Sequence, residues 1–131
     1  MPYIIGYLKA ADQYTTYSLN APEGSTELCT LDGVTYTAIP SDTALGEQPE
    51  QIATSVQIVT IGDELREQIC AASPHVELIR TRVRAMIEKE YSVYDEIKLL
   101  RTAPSAEFDV YNEHTELCRQ WGRDQKAALG L

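Results

Sequence analysis

The spacing of apolar residues changes character once along the chain, near Gly62. Before it, short β-branched and aromatic runs predominate. After it, apolar positions recur every three or four residues, the period of a helix. Tyr3 to Leu8 is apolar and aromatic, and Gln13 to Leu19 is rich in Thr and Tyr, which suits a pleated surface; Lys9 to Asp12 is then the hairpin loop between two strands. Thr26 to Leu31 and Val34 to Ile39 flank Asp32-Gly33, a dipeptide that supplies the positive φ angles of a type I′ turn. A two-residue loop sets Leu31 opposite Val34, Cys29 opposite Tyr36 and Glu27 opposite Ala38. It gathers Leu31, Cys29, Val34, Tyr36 and Ala38 on one face, the expected buried one. Pro40, Gly46 and Pro49 mark residues 40–51 as a linker or exposed loop. The β-branched stretch from Ile52 to Ile61 predicts a fifth strand over at least Ser55 to Thr60, or an extended arm.

Past Gly62, Leu65 and Ile69 lie one helical turn apart, behind Asp63 and Glu64, whose charges suit a helix N-terminus. Ser73-Pro74 is a second helix start, with Ser as cap and Pro in the first turn. That helix runs to about Tyr91 and carries Val76, Ile79, Val83 and Met86 along one stripe. Leu65, Ile69, Ala72, Val76, Ile79, Val83 and Met86 hold one heptad-like register across Pro74. Two helices in a bundle satisfy it, and are favoured because a proline inside a helix costs about 3 kcal/mol; the alternative is one kinked helix that oligomerises through the seam. Ser92 to Asp95 matches a capping box for a short helix carrying Val93, Ile97 and Leu100. Ser105 precedes the last helix, whose broad face is Phe108, Tyr111, Thr115, Cys118 and Trp121, with Val110, His114 and Leu117 beside it. The pattern predicts an α+β fold: a small antiparallel sheet of four or five strands over residues 1–61, then a helical unit of three or four helices over 62–131.

Charge narrows the choice of partners. The chain has 131 residues and a formal net charge of −9, which disfavours nucleic acid and anionic membrane surfaces as partners. Lys9 is the single cation among residues 1–60, against seven carboxylates; a partner for that half would present cations. No run approaches the roughly 18 apolar residues of a membrane span, and the N-terminus lacks the basic and apolar regions of a secretory signal. Cys29, Cys70 and Cys118 are scattered and have no CxxC partner, so neither a disulfide framework nor a zinc site is expected.

The candidate chemistry is sparse. His75 and His114 lack metal-ligand spacing, the thiols read as small buried hydrophobes, and no GxSxG elbow or glycine-rich phosphate loop occurs. Twenty acids offer no spacing that selects a pair for acid–base catalysis. No catalytic residue, cofactor or metal is therefore expected. Arg80, Arg82 and Arg84 form the one basic cluster; Arg80 and Arg84 share a helix face, where pairing with Glu77 and Glu88 is the plainer reading and an anionic partner contact the sharper one. Tyr3, Tyr7, Tyr17 and Tyr36 concentrate in the sheet, where cross-strand packing and a protein interface are balanced readings.

The stretch from Asp63 to Leu131 resembles short proteins encoded beside tail-fibre genes in tailed phages and prophages. The resemblance is carried by Asp63-Glu64-Leu65-Arg66, Ser73-Pro74-His75-Val76 with Arg80 and Val83, and Tyr91-Ser92 leading into Asp95 to Arg101. It continues through Ala103-Pro104, Phe108, Tyr111-Asn112, Cys118 to Gly122 and Lys126 to Leu131. It implies a tail-fibre accessory acting by protein–protein binding, such as an assembly chaperone, located in the host cytoplasm or incorporated in the virion tail, with another tail protein as partner. A self-assembling homo-oligomeric subunit of the tail or baseplate is the first alternative, and a small enzyme or ligand-binding domain the second.

Overall fold

The computed structural model describes residues 2–131. Its elements are β1 (Tyr3–Leu8), β2 (Ala10–Ala11), β3 (Thr16–Tyr17), β4 (Thr26–Leu31), β5 (Val34–Ile39), α1 (Glu50–Ala53), β6 (Gln57–Val59), α2 (Asp63–Ala72), α3 (Pro74–Glu90), α4 (Val93–Arg101) and α5 (Ala106–Ala128). An antiparallel sheet followed by helices makes the fold α+β. Residues up to Val76 form one compact unit together with Ala127–Leu131; Glu77–Lys126 form a second. The first unit thus extends past the boundary expected at residue 61, because α2 packs on the sheet and belongs to its core.

The sheet has the order β4-β5-β1-β6, with every pair antiparallel. Asp32 and Gly33 both adopt positive φ (50° and 82°), as a type I′ turn requires. The hairpin places Leu31 opposite Val34 and Cys29 opposite Tyr36, as expected, but Glu27 faces Thr37 and Thr26 faces Ala38. A bulge between Glu27 and Cys29 causes the one-residue offset. It turns Leu28 into the core, where it is buried beside Ile4, Ala38 and Ile69.

Both faces of the sheet are covered. On one, Ile4, Leu28 and Ala38 meet Ile69 of α2, with Cys29, Leu31, Tyr36, Leu65, Leu129 and Leu131 packed around them. On the other, Ile5, Tyr7 and Ile39 meet Ile52 of α1, joined by Tyr3, Tyr17, Leu19, Leu45 and Val56. Thr35, Thr37 and Ile39 of β5 are all buried, whereas on its other face Ala38 is buried but Val34 and Tyr36 are only half-buried, so the face expected to be the outer one is the tighter.

The segment expected to be a loose linker is tied down. The Tyr3 hydroxyl donates to the Thr43 carbonyl at 2.6 Å, and the Gln48 side chain both accepts from the Asn20 amide (2.7 Å) and donates to its carbonyl (3.0 Å). Three strand expectations need correcting. Lys9 to Asp12 is no hairpin loop: Ala10–Ala11 pair with Thr16–Tyr17, and the turn lies beyond, where the Asp12 carboxylate accepts from the amides of Tyr14 and Thr15. The strand expected over Gln13 to Leu19 shrinks to Thr16–Tyr17 for the same reason. In the Ile52–Ile61 stretch, residues 50–53 form a helical turn after Pro49, and Gln57–Val59 alone pair with β1.

Among the helices, α2 and α3 are separate, because Ser73 is extended (φ −75°, ψ 124°) and Pro74 begins anew. The capping box on α4 is formed: the Ser92 hydroxyl accepts from the Asp95 amide (3.1 Å), and the Asp95 carboxylate accepts from the Ser92 amide (3.0 Å). Ser105 caps α5 by accepting from the Phe108 amide at 3.1 Å. Gly122 lets α5 approach α3 closely, since a Cβ there would stand 2.7 Å from Val83 Cγ2. Among the described residues no helix is long and apolar enough to cross a membrane.

Candidate partner-binding groove

The sheet tyrosines are packing residues. Tyr7 is 2% exposed. Tyr3 is fastened to Thr43, Tyr17 packs beside Ile52 while its hydroxyl donates to Asp12 (3.0 Å), and Tyr36 lies against the Ile4–Ile69 core. Of the expected interface set, Tyr7 is corrected to core, while Tyr3, Tyr17 and Tyr36 are half-buried and packed against the two sheet clusters. The exposed tyrosines are Tyr14 and Tyr94.

The Leu65-to-Met86 seam is divided in the same way. Ile69 and Val76 are wholly buried and Leu65 packs on the sheet core, so no continuous stripe is free for a subunit interface. Ile79, Val83 and Met86 lie in the second unit and are half-buried. On α4 the expected packing positions Val93, Ile97 and Leu100 are exposed, as are Val110 and Leu117 on α5. The burial on α5 falls on Tyr111, Thr115, Cys118 and Gly122.

Of the three thiols, Cys29 and Cys70 are half-buried and Cys118 is buried. Burial pushes the Cys29 thiol pKa up, which disfavours the thiolate. Cys118 is buried, with its Sγ 3.7 Å from His114 Nε2; that ring also stands 3.4 Å from the Met86 carbonyl and tilts against Tyr91. Among the described residues no group of three or more His, Cys, Asp or Glu side chains is placed to hold a metal ion. The Tyr111 hydroxyl donates to Glu96 at 2.9 Å, and burial together with that bond raises its pKa.

One concave surface gathers charge. A groove of about 710 Å³ runs between α3 and α5, with α4 at one side. Ile79, Val83, Ile87 and Val93 give it an apolar lining, and Gly122 keeps the floor low. Arg80, Arg84, Arg119, Arg123 and Lys126 also line it, against Glu88 and Glu96. That local excess of three positive charges stands on a chain of net charge −9. Arg123 is engaged by Glu116 and by Gln120 (2.8 Å), and Arg80 lies 3.9 Å from Glu77. Arg84, Arg119 and Lys126 have no ion-pair partner among the described residues.

The structure thus sets Arg80, Arg84, Ile79 and Val83, all singled out from sequence, in one site. It adds Arg119, Arg123 and Lys126, which the sequence reading missed. Their signal was available: positions i, i+4 and i+7 of one helix share a face. A second groove of about 660 Å³, lined by Glu90, Asp95, Glu107 and Lys98 around Tyr91, Leu99 and Val110, carries the opposite charge balance. Comparison of the chain with protein-family models, with curated proteins and with solved structures gives no match.

Proposed function

We propose that this chain is a non-catalytic accessory of a phage tail fibre that works by binding another tail protein during assembly. The observation that carries the binding reading is the apolar surface of the helical unit. Val93, Tyr94, Ile97 and Leu100 on α4, and Val110 and Leu117 on α5, are all exposed. Val93, Ile97 and Leu100 follow one another at helical spacing along α4, an exposed apolar stripe of the kind that a partner covers. The tail-fibre assignment is supported by the resemblance of residues 63–131.

Self-association through the Leu65-to-Met86 seam is the weaker reading, because Ile69 and Val76 are spent inside the chain's own fold. Co-expression with a tail-fibre protein of the same genome tests the proposal. The fibre should co-purify with this chain and gain solubility; a fibre equally soluble alone and absent from the purified fraction would sink it.

A further inference from the structure

We propose that the groove between α3 and α5 receives an acidic amphipathic helical segment of a partner protein; this deepens the binding reading above and rests on it. The two walls present ordered rows of cations. Arg80 and Arg84 are one turn apart on α3, and Arg119, Arg123 and Lys126 follow at i, i+4 and i+7 on α5. Between the rows lie the methyl groups of Ile79, Val83 and Ile87, half-buried and open to the groove.

Each half of this surface narrows the occupant. A phosphate backbone would satisfy the guanidinium groups but leave the apolar floor wet. A purely apolar helix would cover the floor and strip water from Arg84, Arg119 and Lys126 without pairing them, which is costly. A helix with apolar anchors at i, i+3 or i+4, and i+7, flanked by Asp or Glu, satisfies both. The chain itself leaves those three cations free, and a local positive surface on a molecule of net charge −9 selects a negative partner at the groove while repelling negative charge elsewhere.

The experiment uses the full chain and a fluorescent peptide of about 18 residues, long enough for five turns, with a Leu stripe at helical spacing, Glu beside it and Ala elsewhere. Controls replace Glu by Lys, scramble the Leu stripe, or substitute a single-stranded thymidine oligonucleotide. The Leu/Glu helix should bind at least about tenfold more tightly than every control, with affinity falling as salt rises. R84E/R119E, at exposed rim positions, should keep the circular-dichroism spectrum and the Tm, lose about tenfold for the Leu/Glu helix and gain affinity for the Leu/Lys one. No binding of the Leu/Glu helix, or oligonucleotide binding of equal strength, overturns the proposal. So does sedimentation showing that R84E/R119E dissolves a dimer, since a second copy would then fill the groove. If the fibre still co-purifies with R84E/R119E, the accessory function stands and the groove is refuted as its docking site.

Discussion

Tyr7 is 2% exposed and Tyr14 89%, so the same substitution has opposite meanings at the two positions. Tyr7→Ala removes a ring from the core it shares with Ile5, Ile39 and Ile52 and should cost about 3–5 kcal/mol in urea unfolding. Tyr14→Ala should stay within about 0.5 kcal/mol. At Gly122 two effects oppose each other. Valine would raise helix propensity over glycine by a few tenths of a kcal/mol, but its carbons would enter a space where Val83 Cγ2 already stands 2.7 Å from the first of them. Overpacking of about 1–3 kcal/mol prevails, and Gly122→Val should lower the Tm. Burial of this kind is hard to read from sequence. Tyrosine suits both a packed sheet and an interface, and only tertiary packing decides between them: Ile52 and the loop at Thr43 on one face, Ile69 on the other. The basic row on α5 was legible in principle, because its spacing is purely helical; it was overlooked beside Glu113, Glu116 and Asp124.

The elements that local chemistry dictates were the ones that could be read. The Asp32-Gly33 turn, the Ser92 capping box and the Ser73-Pro74 break depend on residues a few positions apart. The bulge at Leu28 does not: it exists because α2 offers that side chain a place in the core beside Ile69. Likewise the β-branched stretch begins as a helical turn at Ile52, which seats against Ile5 and Ile39, a tertiary contact overriding propensity. For α4, Ser92→Ala should weaken the helix by about 1 kcal/mol, visible as faster amide exchange over residues 93–101. Its pH dependence has a definite sign. Hydrogen bonds from the Ser92 amide and hydroxyl hold the Asp95 carboxyl below the usual carboxylate range, and the amides of Tyr14 and Thr15 do the same for Asp12. A lowered folded pKa means the contribution is complete above the unfolded value. It is lost as the pH falls from about 4 toward the folded value. Exchange measured through that range should show α4 and the turn after β2 loosening first, and Asp95→Asn should remove the pH response of α4 alone.

At the scale of the whole chain, the two units differ in how much they bury. The first has a two-faced sheet with separate clusters on each side, whereas the described burial in the second is concentrated on one face of α5. Amide exchange should therefore report a lower opening free energy for α4 and the start of α5 than for β1 and β5. Limited proteolysis should cut first within residues 102–105; first cleavage in the sheet would contradict this ordering. The boundary between the units was illegible because a change of hydrophobic period marks where secondary structure changes, and α2 is helical yet serves the sheet. The return of the chain at Ala127 has a consequence for recombination. The helical block is an insertion, entered after Val76 and left before Ala127, with Leu129 and Leu131 completing the core on which Ile69 also packs. Grafting a different helical block onto this sheet needs crossovers at both seams. A single crossover or a truncation at Val76 strips two leucines from the sheet's own interior.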